Sequence, residues 1–167
     1  KGKTPPKLQD LRANHRDWLE QRTISFVDGC AGNYMEGILV ISHCWEAPDE
    51  PDKLGKQFEA IQKHLLATPS IELVWYDYWS MPQGKEKTET EVAEFAVILP
   101  NINLLYMFCS VLVLLDLSYM SRFWTQFEAW LSMQDCKEGG LQPSPPEKRR
   151  CTVRSIKGAN EAMAKGL

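Results

Sequence analysis

The 167-residue sequence contains neither G-x-G-x-x-G nor G-x-x-x-x-G-K-[ST], so a glycine-rich phosphate cradle is not expected. It also has no C-x-x-C pair and no repeated cysteine spacing. Cys30, Cys44, Cys109, Cys136 and Cys151 form an odd set, which argues against a disulfide framework or a zinc site and for a reducing, cytoplasmic setting. An excess of basic residues is missing too: 19 Lys+Arg face 22 Asp+Glu, a net charge of -3, and nucleic acid is not expected as a partner. No internal repeat and no secretory leader pattern occurs. The chain opens on Lys1, with Pro5-Pro6 close behind, and reads as an excised domain. The most apolar stretch, Ile98 to Leu117, is interrupted by Pro100, Asn101, Asn103 and Asp116 and lacks flanking basic anchors. It reads as a helix followed by a buried strand, not a membrane span.

What is present is an ordinary globular composition, 44% hydrophobic and 25% charged, enough for one domain with its own core. Residues 1–135 hold 12 basic and 19 acidic side chains, whereas 136–167 hold 7 and 3. The densest basic spot, Lys148-Arg149-Arg150, reads as a solvated turn. Three short runs without alternation, Ile38–Ile41, Leu73–Tyr76 and Val111–Leu115, are hydrophobic on both faces, as parallel strands covered on two sides must be.

Between the runs the period is helical. Leu54, Phe58, Ile61 and Leu65 form one stripe, ending at Thr68-Pro69. Thr88-x-x-Glu91 is a capping-box signature before Val92, Phe95, Leu99, Ile102 and Tyr106, and Pro100 should kink or break that helix. Ser118 or Ser121 can cap a further helix with Phe123, Phe127, Trp130 and Leu131 toward the core, running to Gly139-Gly140. Residues 141–148 read as a proline-rich loop, 151–156 as a fourth strand and 158–166 as a short helix. At the front, Leu8, Leu11, His15, Trp18 and Leu19 suggest an amphipathic helix, and Thr23–Val27 a short strand. The expected fold class is α/β: a flavodoxin-like three-layer sandwich with a four- to five-stranded, mostly parallel sheet. Residues 1–35 would pack as an N-terminal helix and short strand on the main domain, 36–167.

Ligands of such sheets bind beyond the carboxyl ends of the strands, so the residues there carry the information. The first strand runs into Ser42-His43-Cys44-Trp45, the second into Asp77-Tyr78-Trp79, and the third into Asp116-Leu117-Ser118-Tyr119-Met120-Ser121-Arg122. Four of the six tryptophans (Trp45, Trp75, Trp79, Trp124) lie in or beside these segments, which favours a planar ligand.

These same residues carry a resemblance. Ser42 at one strand end, Asp77 at another and Ser121-x-x-Trp124-Thr125-x-x-Glu128 entering a helix are similar to the TIR domain (Toll/interleukin-1 receptor-like). Ile41-Ser42-His43-x-Trp45 and Val74-Trp75-Tyr76-Asp77-x-x-x-x-Pro82-Gln83 resemble still more the heterokaryon-incompatibility (HET) type of TIR-like domain. The likeness covers roughly residues 36–135. It departs at Thr125, where the family usually has Cys in a packing role, and in the Pro/Gln/Lys-rich loop after the second strand, where the family carries glycine.

The resemblance implies binding and hydrolysis of NAD+ as substrate, with no cofactor or metal, in an immune or cell-death type of response. Glu128 would be the catalytic residue. Ser42, His43, Trp45, Asp77, Tyr78, Asp116, Tyr119, Arg122 and Trp124 would bind the ligand. The family's alternative role is a scaffold or nucleotide sensor that acts through self-association or through other TIR-like domains.

The residues give a partly independent account. Trp124 and Glu128, at i and i+4, share a helix face. A lone carboxylate suits a cationic leaving group, because an oxocarbenium-like state needs negative charge and no general acid. The aromatic faces of Trp45, Tyr78 and Trp124 can stack on a base or attract its positive charge. Other roles remain open. Glu128 can pair with Arg122, Asp77 and Asp116 can act as turn or capping residues, and His43 can be structural. Cys44 beside His43 is the residues' other nucleophile candidate, and Glu128 as the nucleophile of a nucleoside-processing transferase is a third reading.

Overall fold

The computed structural model describes residues 6–167; the first five residues of the expected N-terminal segment 1–35 lie outside it. Its centre is a four-stranded parallel sheet built from β1 (Ile38–Ser42), β2 (Leu73–Trp75), β3 (Ser110–Leu115) and β6 (Cys151–Ser155), in the order β2-β1-β3-β6. The order reverses between β1 and β3, where Leu39 to Ser42 align with Ser110 to Val113. This is a flavodoxin-like α/β sandwich.

The strand pleat explains the unbroken apolar runs. Leu39, Ile41, Leu112 and Leu114 face one layer, formed by α3 (Lys56–Ala67) with Ile61 at its centre. Val40, Val111, Val113 and Leu115 face the other, with Tyr106 from α5 (Glu89–Phe108) and Ala129 and Leu131 from α6 (Phe123–Ser132). Both faces of β3 are covered, and Val111 to Leu115 are solvent-free.

The capping box at Thr88 forms in full: Thr88 Oγ1 accepts from the Glu91 amide and Glu91 Oε2 from the Thr88 amide. The expected break at Pro100 does not occur, and α5 runs as one helix through it. Pro100 and Ala96, whose carbonyl loses its donor, are both exposed, so water replaces the missing bond. Glu89–Phe108 is the one helix among the described residues long and apolar enough to cross a membrane by length and composition.

Four further expectations are corrected. At the front, α1 (Leu8–Asn14) stops short of Trp18. A 3-10 turn follows, in which the His15 ring stacks on the exposed Trp18 at 4.2 Å. The strand expected at Thr23–Val27 is instead the approach to α2 (Phe26–Cys30), because the Ser25 hydroxyl caps the Asp28 amide and starts a helix. The helix expected to reach Gly139-Gly140 ends at Ser132. The chain then forms an antiparallel hairpin, β4 (Gln134–Lys137) with β5 (Gly140–Pro143), which turns at Glu138-Gly139 into Gly140 at φ +110°. Neither Ser118 nor Ser121 caps α6; its N-cap is Arg122, without a side-chain bond. A four-residue helix, α4 (Asp77–Ser80), follows β2, and α7 (Glu161–Lys165) ends the chain.

Residues 6–35 pack on the sandwich through specific contacts. Gln9 exchanges hydrogen bonds with the Gln83 backbone, and Arg12 forks onto Glu94. Gly29 lies against the buried Phe108, where an added Cβ would sit 2.3 Å from the ring. Gly29→Ala is therefore expected to lower stability by about 1–3 kcal/mol, despite the better helix propensity of alanine. Urea denaturation of the two proteins measures this, and an equal or higher midpoint for the variant would contradict the packing.

Candidate functional site at the carboxyl ends of the strands

The site lies at the β1/β3 reversal, where the backbone carbonyls end and side chains take over. Ser42, the last residue of β1, is fully buried, and its Oγ is 2.6 Å from Glu128 Oε2 on α6 and 2.5 Å from the Tyr119 hydroxyl. Tyr119 in turn donates to the Thr125 carbonyl at 2.9 Å. Thr125 closes the loop back, its Oγ1 donating to the Tyr119 carbonyl at 2.7 Å and to that of Arg122 at 3.0 Å. This buried hydroxyl at the variant position of the W-x-x-x-E motif thus locks the turn that carries Tyr119 onto the helix that carries Glu128.

The Ser42 hydroxyl donates to Glu128 Oε2, and the Tyr119 hydroxyl, which donates to the Thr125 carbonyl, meets Ser42 Oγ in turn. The environment disfavours the charged form of Glu128. Burial is the largest influence on Glu128, followed by opposing hydrogen bonds from Ser42 and Tyr106 and repulsion from Asp77, and its pKa is pushed up to about 7.

A second cluster adjoins the first. His43 is buried, stacked on Tyr76 at 4.3 Å, with its Nε2 3.4 Å from Asp77 Oδ1. Burial lowers the imidazole pKa, and Asp77 offsets this only in part, so His43 is neutral at pH 7. Asp77 Oδ2 accepts from Trp45 Nε1 at 2.6 Å, and the Tyr78 ring meets Trp45 edge-on at 5.6 Å. His43 Nε2 and Asp77 Oδ1 are both buried and without a hydrogen-bond partner, which leaves polar capacity to be met by a ligand or water.

Seven of the ten predicted site residues are therefore gathered here: Ser42, His43, Trp45, Asp77, Tyr78, Tyr119 and Glu128. Three are not. Asp116 is occupied in its own turn, accepting from the amide and hydroxyl of Ser118 at 2.9 and 2.8 Å. Arg122 is exposed at the start of α6 and forms no pair with Glu128 among the described residues. Trp124 is 67% exposed and touches Phe123 edge-on.

Of the stripe expected to face the core, Leu131 is buried and Phe127 half-buried against the core, but Phe123 and Trp130 are turned outward. Phe123 is 69% and Trp130 47% exposed, and the rings of Phe123, Phe127 and Trp130 stack in succession at 5.9 and 5.8 Å. The buried side of α6 is Leu131 together with the small residues Thr125, Ala129 and Ser132. These small side chains let the helix approach the sheet closely enough for Glu128 to bond Ser42; the aromatic stripe would hold it off.

Tyr106 was missed as a site residue because it lies on the apolar stripe of α5, yet its buried hydroxyl donates to the Ile41 carbonyl at 3.3 Å and opposes the rise in the Glu128 pKa. A hydroxyl at the end of an otherwise apolar stripe was the available signal. Cys44 is buried, and burial raises its thiol pKa, which opposes a nucleophilic role. No cluster of ligating side chains able to hold a metal occurs among the described residues.

A cavity of about 290 Å³ opens beside this cluster, lined by Trp45, Pro48, Asp49, Tyr78, Gln83 and Asp10 among others. Its walls come from the segments after β1 and β2 and from the start of α1, and they do not include Glu128. The fold and site together define a parallel α/β sandwich with a carboxylate–hydroxyl cluster at its topological switch point. No family model, no curated protein and no solved structure matches the chain.

Proposed function

We propose that this domain binds NAD+ and hydrolyses the bond between nicotinamide and ribose, with Glu128 as the catalytic carboxylate. The observation that carries the reading is the position of Glu128: half-buried at the switch point, bonded to Ser42, and next to a second carboxylate, Asp77. In the reaction the C–N bond breaks and its electron pair leaves with nicotinamide, which becomes neutral. Positive charge develops on the ribose, and ionised Glu128 stabilises it. Water adds to that carbon and gives its proton to Glu128. His43 Nε2 and Asp77 Oδ1, with unused acceptor capacity, suit the ribose hydroxyls. Trp45 and Tyr78 offer aromatic surface at the mouth of the adjoining cavity. The motif resemblance to TIR-like domains supports the same assignment.

Incubation of the purified protein with NAD+ should release nicotinamide in proportion to protein and time. If none is released at any concentration, including under crowding, the enzymatic reading fails.

One observation favours a second reading, an association module. The ladder Phe123-Phe127-Trp130 with Trp124, and Val97 and Leu99 on the neighbouring α5, leaves large apolar side chains in water on one layer of the sandwich. If assembly completes the site, specific activity rises with protein concentration; constant specific activity across a wide dilution series would separate catalysis from association.

A further inference from the structure

Far from the switch point, two cysteines distant in sequence meet. Cys30 ends α2 and Cys136 lies in β4; their sulfurs are 2.6 Å apart, and the Cys30 thiol donates to the Cys136 sulfur. Both are free, Cys30 exposed and Cys136 half-buried, whereas Cys44 and Cys109 are sealed in the core. The two flank a cavity of about 330 Å³ that is also lined by Met35 and Met107 and by three basic side chains, Lys137, Lys148 and Arg150, against one acidic, Asp135. A small molecule can therefore reach the sulfurs, and the cationic side of the cavity suits an anionic one.

We propose that Cys30 and Cys136 form a thiol–disulfide exchange site that takes an anionic low-molecular-weight disulfide of the glutathione type. With the proton on Cys30, Cys136 takes the attacking role and Cys30 the resolving one. Cys136, which accepts the hydrogen bond, attacks as thiolate one sulfur of the small disulfide; a mixed disulfide forms and the first small thiolate leaves. That thiolate takes the proton of Cys30. Cys30 then attacks the Cys136 sulfur and expels the second small thiolate, which takes up the proton that Cys136 gave to solvent. Two protein thiols are oxidised to one disulfide, and one small disulfide is reduced to two thiols.

Cys30 holds its proton until that second step. The hydrogen bond to Cys136, burial and the charge of Cys136 push its pKa up to about 11. The Lys137 ammonium lies on the residue next to Cys136, although Asp135 shares it at 3.4 Å. The bond would tie α2, which precedes the sheet, to the hairpin that follows α6, and so enclose β1, β2 and β3 in one covalent loop.

The test treats the full chain with oxidised glutathione, then counts free thiols in denaturant and maps peptides by mass. The expected result is a fall from five thiols to three, with one intramolecular Cys30–Cys136 link that a dithiol reductant removes. Cys30→Ser is expected to stop at a single glutathione adduct on Cys136, since the resolving sulfur is gone. Five remaining thiols, a link through any other cysteine, a link between two chains, or an adduct in the wild type that fails to close would each overturn the assignment.

Discussion

Glu128→Gln is expected to lose NAD+ cleavage by about a hundredfold or more, the usual scale for removing a group that stabilises developing charge. The same variant should gain stability at neutral pH. Both effects follow from one carboxyl. In the wild type the reactive form is the carboxylate, so cleavage should rise with pH through a midpoint near 7. Glutamine keeps the size of the side chain and can donate to Ser42 Oγ, but it carries no negative charge, so the activity that remains should lack this limb.

The stability effect runs in the opposite direction. The folded pKa, about 7, lies above the ordinary value of 4.5, so in that interval the folded protein holds a proton that the unfolded chain has released. The stabilisation from this proton is complete below pH 4.5 and is lost as pH rises through 7. It amounts to about 1.4 kcal/mol per pH unit, roughly 3–4 kcal/mol in all. Glutamine does not titrate, so the variant should be flat over the window in which the wild type weakens. Urea midpoints for both proteins at roughly pH 5 and pH 8 measure the difference. Parallel pH dependence in the two would mean that Glu128 ionises folded as it does unfolded.

The second large effect is expected at Arg150, away from the site. The sequence placed it in a solvated basic turn with Lys148 and Arg149. Those two are exposed, but Arg150 is buried just before β6, and its guanidinium donates to three carbonyls: Gln134 at 2.7 Å, Leu131 at 2.8 Å and Tyr106 at 3.1 Å. Two of these carbonyls lie in the last turns of α5 and α6, where no intrahelical donor reaches them and the helix dipole is negative. One cation thus terminates two helices and joins both to β4. Burial lowers the pKa of Arg150, with Asp135 opposing, and the guanidinium stays charged at neutral pH.

Arg150→Met replaces the chain length but takes the charged donor from all three carbonyls, and should cost about 3–5 kcal/mol. For a domain with about 5–15 kcal/mol in total, that is a large fraction. Arg150→Lys should cost less, because an ammonium satisfies some of the carbonyls but lacks the planar fork. Equilibrium urea unfolding of the three proteins ranks them. A midpoint for Arg150→Met equal to that of the wild type would mean that water takes over these carbonyls without penalty.

The same contrast runs through the rest of the molecule. The sheet was legible because β1, β2 and β3 are covered on both sides, and a doubly covered strand has no polar position to spare; the apolar runs therefore map onto it almost residue for residue. The capping box was legible because both of its hydrogen bonds lie within four residues. Ser42, Asp77 and Glu128 could be placed near one another because the right-handed crossovers of a parallel sheet bring successive strand ends to the same edge.

The face of α6 was not legible. Its sequence offers two stripes at helical spacing, an aromatic one and a small-residue one. Local periodicity says which residues share a face, but the sheet opposite selects the face that can approach it, and hydrophobicity pointed correctly to Leu131 and Phe127 but not to Phe123 and Trp130. Asp116 and Trp124 were misplaced for similar reasons: one is used up by a serine two residues away, and the other belongs to the outward side of that same helix. The Arg150 staple, the Tyr106 contact and the Cys30–Cys136 pair all join residues far apart in the chain, with spacings that carry no local signal. The sequence by itself determined the layers, the strands and the edge where the functional side chains gather. The tertiary structure alone decided which hydroxyls reach Glu128, which charge is buried and which thiols meet, because those choices depend on the surface each element packs against and not on its own period.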